Sequence, residues 1–259
     1  MASYTVIIAT HDRPALLARA IRTIKSQQFP NVTVTVVSDD HSIETYNVAR
    51  AFLSGQDIYI ERRGNPGPAR SRTLGLGVAS SEYVMFLDDD DEYSEDFLPA
   101  LDCHTKVAAN SVIFCDFYVS NDGEDRSVAG LNPPVPVKIG DRDPGDVHVR
   151  NYIPNSCLIY PIDAVRNEAF DGSLVLNEDW DFLLDVVRAR PLLHVPIFGP
   201  IIHKTDRSKG DRRGALNDHL LLDNTMRIYR KWPAPTVAFR QARQGLLASV
   251  GISLPIEHF

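Results

Sequence analysis

The chain has 259 residues, 44% hydrophobic and 24% charged, with a net charge of -7 and no low-complexity tract. That is ordinary globular composition, long enough for one large α/β domain with a substantial core. An acidic balance disfavours general nucleic-acid binding, which needs a basic surface.

The first ninety residues alternate strand and helix patterns. Thr5 to Thr10 is a β-branched run, and Pro14 then sits where the first turn of a helix accepts proline. Leu16, Leu17, Ala20, Ile21 and Ile24 recur at helical spacing until Pro30. Val32 to Val37 predicts a second strand, the region of Ala49, Phe52 and Leu53 a short helix, and Ile58 to Ile60 a third strand. After the turn Asn65-Pro66-Gly67-Pro68, residues 69–78 read as a helix leading into the apolar strand Tyr83 to Leu87. This order predicts a parallel, doubly wound sheet. Val112 to Val119 predicts a further strand, open to antiparallel pairing in a mixed sheet, and Asn121-Asp122-Gly123-Glu124 a turn. Residues 130–147 are a Pro, Gly and Asp-rich loop, and a short strand follows Asn155-Ser156-Cys157. Helices are expected from Pro161 and from Asn177, a strand over 192–202, and two more helices within 215–250. Cys103, Cys115 and Cys157 lack a CxxC spacing and read as free thiols of a reducing compartment. No basic-then-apolar leader opens the sequence, and no stretch approaches the roughly 20 apolar residues of a membrane span. A cytoplasmic protein is expected, with peripheral membrane contact open.

Chemistry concentrates where the apolar strand runs into Asp88-Asp89-Asp90-Asp91 and Glu92. If the strand geometry persists, Asp88 and Asp90 share one side and Asp89 and Asp91 the other. Such close carboxylates repel unless a cation neutralises them or they fan out into water. Oxygen-only ligands suit Mg²⁺ or Mn²⁺, completed by substrate phosphates. Polar groups also end the first two strands, at Thr10 to Asp12 and Ser38 to Ser42, so one crevice at the carboxyl edge of the sheet is expected. Neither GxGxxG nor GxxxxGK[ST] occurs, which removes the principal support for dinucleotide and P-loop readings. Asn177-Glu178-Asp179-Trp180-Asp181 opens a helix, whose N-terminus is expected to favour ionised Asp179. The basic stretch from His203, with Lys204 and Arg207, could fold over a diphosphate.

Five segments in order resemble a family 2 nucleotide-sugar glycosyltransferase of the GT-A fold. Val6 to Pro14 is similar to that family's opening VIIPTYNRP, and Val36 to Ser42 to its VVDDGS. Asn65-x-Gly67-x-Ala69-x-Ser71-Arg72 resembles NxGxAxARN, Leu87 to Asp91 its LDxDD, and Glu178 to Asp181 the ED(W/Y)D segment that supplies the base. Ala9, His11, Asp12, His41 and Thr73 depart from the pattern around the nucleotide pocket. The resemblance implies an α/β, Rossmann-like, mostly parallel mixed sheet with helices on both faces, plus C-terminal helices. Residues 1–213 would form that domain, with 1–91 as nucleotide-binding half and 92–213 as acceptor half and closing loop; 214–259 would be a helical extension. It implies a metal, Mn²⁺ or Mg²⁺, at Asp88 and Asp90, with His203 as a further candidate ligand. Thr10, His11, Arg13, Asp39, Asp40, Arg72 and Asp89 would serve the nucleotide, joined by Lys204 and Arg207. Asp179, with Glu178 beside it, would be the catalytic base of an inverting transfer. The implied partners are a nucleoside-diphosphate sugar, UDP by default, and a hydroxyl acceptor that is a glycan, a lipid-linked glycan or a small molecule. A noncatalytic sugar-nucleotide or glycan-binding module is the rival reading. A sugar nucleotidyltransferase is disfavoured because Thr10 to Pro14 is not the glycine-rich basic loop that activity uses.

Overall fold

The computed structural model describes residues 1–105, 108, 110–121, 133–204 and 218–259. The first part runs β1 (Tyr4–Thr10), α1 (Pro14–Ser26), β2 (Val32–Ser38), α2 (Ile43–Phe52), β3 (Ile58–Glu61), α3 (Pro68–Val78) and β4 (Tyr83–Phe86). Next come β5 (Glu92–Tyr93), α4 (Phe97–Thr105), β6 (Val112–Asn121), β7 (Val135–Val137), β8 (Leu158–Pro161), α5 (Ile162–Val165) and α6 (Glu178–Val186). The chain finishes with β9 (Leu192–Lys204), α7 (Asp218–Lys231) and α8 (Val237–Ser249), and a short 3-10 turn at Asn155–Cys157 precedes β8.

Among the described residues the strands form one sheet in the order β3-β2-β1-β4-β8-β6-β9-β5, with β7 on β6. The first four strands are mutually parallel. β8 runs antiparallel to both β4 and β6, whereas β9 runs parallel to β6 and carries β5 antiparallel beyond it. The expected mixed α/β sheet is therefore present, and β6 has both a parallel and an antiparallel neighbour. From β1 the chain steps outward to β2 and β3, then returns through α3 to β4 on the other side of β1. Right-handed crossovers put α3 on the face opposite α1 and α2 when the direction reverses in this way. Accordingly Arg22 of α1 lies over the Phe52 ring of α2 at 5.3 Å, while α3 packs on β1 and β2. The reversal between β1 and β4 is a topological switch point, the place where such sheets open a ligand crevice.

Several elements differ from their expected form. α2 starts at Ile43 because the Ser42 hydroxyl caps it, accepting from the Thr45 N–H at 3.4 Å. β5 is two residues long and leaves no periodic trace. α4 buries Phe97, Leu98, Leu101 and Thr105, a helical stripe not read from the sequence. The 130–147 excursion contains β7 and a 3-10 turn, Pro144–His148. Residues 122–124 of the expected turn lie outside the described residues. Cys115 and Cys157 are buried and Cys103 exposed, all three as free thiols. Among the described residues no helix is long and apolar enough to cross a membrane.

α3 approaches the sheet closely at Gly75, where an added Cβ would lie 2.5 Å from Ile7 Cγ2 and 3.4 Å from Val37 Cγ2. Both neighbours are fully buried strand residues with little room to yield. Gly75→Ala is therefore expected to destabilise the protein by about 1–3 kcal/mol, lowering Tm by roughly 2–4 °C per kcal/mol. A thermal melt showing an unchanged or higher Tm would refute this packing.

Candidate functional site

The strand geometry does not persist through the acidic run. Leu87 N–H still bonds to Ile7 O at 3.0 Å, but the chain then turns, with Asp91 N–H donating to Asp88 O at 3.0 Å. The expected partition survives the turn: Asp88 and Asp90 are half-buried, and Asp89 and Asp91 are buried. Each buried carboxylate has dedicated donors. Asp89 accepts from Thr10 Oγ1 at 2.8 Å and from Arg13 Nη1 at 3.1 Å, and the same nitrogen reaches Asp90 Oδ2 at 3.1 Å. Burial pushes the Asp89 carboxyl up to about 6 despite the Arg13 charge. Asp91 accepts from Ser156 Oγ at 2.9 Å and from the His203 N–H at 3.2 Å. Burial, and the charges of Asp88 and Asp90, hold Asp91 well above the usual carboxylate range.

The ends of β1 and β2 are paired, Thr10 opposite Ser38, so the residues that follow them meet. Asp39 is buried between three donors: Arg62 Nη2 at 2.7 Å, Gly67 N–H at 2.7 Å and the His11 ring, whose Nδ1 is 2.5 Å from Oδ1. Arg62 was missed in the sequence, where it is one of two arginines after β3. Its guanidinium also donates to Asn65 O at 3.0 Å and Gly67 O at 2.9 Å, fixing the turn into α3. Asp40 serves the loop itself. It accepts from Ser38 Oγ at 2.6 Å, Ser42 N–H at 3.0 Å, Thr45 Oγ1 at 2.7 Å and Asp12 N–H. Burial works upward on Asp40, yet these donors hold its carboxyl below the usual value.

A third group comes from α3 and α6. Arg72 Nη2 is 2.7 Å from Asp88 Oδ1, and its Nη1 is 2.7 Å from Glu178 Oε1. Burial opposes the Arg72 charge, but Asp88, Glu178 and Asp179 outweigh it and hold the guanidinium firmly protonated. Asp179 accepts from its neighbour's backbone, Trp180 N–H, at 2.8 Å and from Asn151 Nδ2 at 3.3 Å. The first-turn amide of Trp180 acts to lower the Asp179 carboxyl, as expected of a helix N-terminus, but is outweighed. Burial and the adjacent Glu178 charge push it up to about 6, with Arg72 acting in the opposite direction. Its proton affinity thus lies well above that of an ordinary carboxylate. Asn151 was not among the candidate residues, since a single polar residue carries no pattern, and Ser156 counted only through the resemblance, which implies an acceptor-sugar contact near Asn155 and Ser156.

The ring of His203 lies against Glu92, with Nε2 2.7 Å from Oε1, and its side chain is only 4% exposed. The histidine thus meets Glu92 with its ring and Asp91 with its backbone N–H. Lys204 ends β9 on the same sheet edge and is exposed. Arg207 lies outside the described residues. Among the described residues no group of three or more His, Cys, Asp and Glu side chains converges as a metal cage. A separate open groove of about 820 Å³ runs along the outer face of α3, lined by Arg70, Thr73, Leu74, Val78 and Phe170 among others. None of the acidic residues of the strand ends lines it.

The sequence profile of glycosyl transferase family 2 matches residues 5–157. Over 95 residues the chain is 35% identical to the GalNAc(5)-diNAcBac-PP-undecaprenol beta-1,3-glucosyltransferase of Campylobacter jejuni, covering 36% of this chain and 31% of that protein. It is 26% identical over 208 residues to the succinoglycan biosynthesis protein ExoW of Rhizobium meliloti, covering 73% of this chain and 65% of the relative. The chain thus spans less than two thirds of the length of these relatives. In fold it is similar to Staphylococcus aureus TarS residues 1–349, solved in complex with UDP-GlcNAc, with a TM-score of 0.68 at 15% identity over 97% of this chain and 73% of that one. A profile match over more than half the sequence, on a sheet whose carboxyl edge carries the matching acidic turns, means that the chain belongs to glycosyl transferase family 2.

Proposed function

We propose that this family 2 glycosyltransferase transfers a sugar, with inversion, from a nucleoside-diphosphate sugar to a hydroxyl of a glycan, lipid-linked glycan or small-molecule acceptor. The donor is a UDP-sugar, the cofactor Mn²⁺ or Mg²⁺, and the compartment the cytoplasm. One observation carries this reading: a single buried guanidinium, Arg72, touches both the acidic turn after β4 and the first turn of α6. The carboxylates suited to a sugar diphosphate and the carboxylate suited to a proton therefore border one crevice.

The residues fit a divalent cation of the hard, oxygen-seeking kind. Asp88 and Asp90 have side chains 26% and 25% exposed, enough to reach a ligand. Two carboxylates with substrate phosphates as the remaining ligands are a usual Mg²⁺ arrangement. The upward pressure on buried Asp91 comes partly from the charges of Asp88 and Asp90, and a cation there would relieve it. Such a cation supplies Lewis-acid stabilisation of the negative charge that develops on the leaving diphosphate. His203, turned towards Glu92, is left out of this ligand set.

On the nucleotide side, Asp39 and His11 lie at the end of β2 and the exit of β1, and Arg13 holds Asp89 and Asp90 in place. On the other side, Asn151 and the Trp180 amide fix the Asp179 carboxylate. Asp179 would accept the proton of the acceptor hydroxyl as its oxygen attacks the anomeric carbon. Attack opposite the leaving group gives inversion and needs no covalent nucleophile.

Asp179→Asn is expected to lower transfer by about 10²–10⁴-fold while UDP binding persists; transfer near the wild-type rate would remove Asp179 from the mechanism. Because the proton acceptor must be ionised and its carboxyl is raised to about 6, kcat/KM should fall as pH drops through 6. The slope should approach about tenfold per pH unit. Chelation should abolish turnover and added Mn²⁺ or Mg²⁺ restore it, measured as UDP release from a panel of UDP-sugars. Undiminished turnover in excess chelator would end the cation assignment, and UDP binding with no transfer to any acceptor would favour a noncatalytic module.

A further inference from the structure

We infer that Arg72 is a positioning residue for the base, tying the donor side of the crevice to the helix that carries Asp179, and not a nucleotide contact. The inference rests on the proposed transfer reaction. The geometry is a two-ended clamp. One guanidinium nitrogen holds Asp88 of the acidic turn and another holds Glu178, each at 2.7 Å, and the arginine side chain is only 7% exposed. With both ends engaged and little surface open, the fork has scant capacity for a nucleobase.

The start of α6 needs such an external hold. Its N-cap residue, Asn177, has a left-handed backbone (φ 61°) and makes no side-chain capping bond. The usual device that fixes a helix entry is therefore missing. Glu178 is the first helical residue and Asp179 the next, so a bond to Glu178 sets the position of the turn that aims the base. Arg72 grips the same helix a second time. Its guanidinium lies over the Phe170 ring at 5.6 Å, and that ring is stacked on Phe182 of α6 at 4.0 Å with the planes 2° apart. Arg72 thus contacts the first turn directly and the second through an aromatic pair. Its own helix is seated by the close approach at Gly75, which makes α3 a rigid mount.

A lysine keeps the charge but offers one compact ammonium, which cannot span two carboxylates with the planar fork of arginine. Small misplacements of a reacting group cost on the order of 10²-fold in rate. The experiment compares Arg72→Lys, Glu178→Gln and the double variant with the wild type. The readouts are kcat and KM for UDP release from the best-turned-over member of a UDP-sugar panel, and UDP affinity by calorimetry. Each single variant should lose about 10–100-fold in kcat. UDP affinity should stay within about threefold, which also reports an intact fold, and the double variant should be no worse than the poorer single, as expected for two residues acting through one contact. Multiplying losses in the double variant, or weaker UDP binding by Arg72→Lys with kcat preserved, would overturn the positioning role while leaving the proposed reaction intact. A wild-type protein that binds UDP but transfers no sugar would instead fail the proposed reaction itself.

Discussion

Carboxylates crowd the carboxyl edge of this sheet, and like charges brought this close cannot coexist without compensation. Among the described residues guanidinium groups supply much of that compensation. Arg62 serves Asp39, Arg13 joins Asp89 to Asp90, and Arg72 joins Asp88 to Glu178. Two connections after parallel strands supply them: Arg13 follows β1, whereas Arg62 and Arg72 both lie between β3 and β4, Arg72 inside α3. The switch point between β1 and β4 is what brings those connections together. Leaving a buried charge without its partner costs about 3–5 kcal/mol, so these pairs also fix how the connections lie. Burial first, and neighbouring carboxylates second, keep Asp89, Asp91 and Asp179 above the ordinary carboxylate range.

Much of this was legible in the sequence because the first ninety residues obey simple periodicities. Apolar runs such as Val32 to Val37 and Tyr83 to Leu87 must be buried on both faces, and polar residues at their ends must emerge at one edge. That logic located Thr10, Asp39 and Asp88 to Asp91 without coordinates. It did not reach the partners. Arg62 and Asn151 are single polar residues in unremarkable stretches, and their roles follow from distances between segments far apart in sequence. The alternation of the four aspartates survived for a different reason from the one expected: a turn, not an extended strand, buries Asp89 and Asp91. The direction of the Asp179 shift was misjudged because the helix dipole is a modest effect beside burial.

The profile of the family ends at residue 157, ahead of α6, so what supports that helix emerges only from the fold. Its opposite flank is anchored by the C-terminal helices. Asp181 accepts from Lys231 Nζ at 2.7 Å and from Trp232 Nε1 at 2.8 Å, and the Trp180 ring meets Tyr229 edge-on at 5.9 Å. Arg243 of α8 is fully buried, 4.1 Å from the Tyr229 ring centroid, and donates to His148 O at 2.7 Å and Trp232 O at 2.9 Å. Met226, Ile228, Tyr229 and Leu247 belong to the same apolar core as the sheet. Residues with no chemistry of their own therefore hold the far side of the turn that Arg72 holds from the crevice.

The central claim is that strand ends and the α6 terminus form one ligand site. Amide hydrogen exchange on the protein, with and without UDP and Mn²⁺, tests it directly. One site predicts that residues 10–13, 38–40 and 87–91 gain protection together with 177–181, at the same UDP concentration. Protection confined to one of these segments, or a 177–181 segment indifferent to saturating UDP and Mn²⁺, would contradict it.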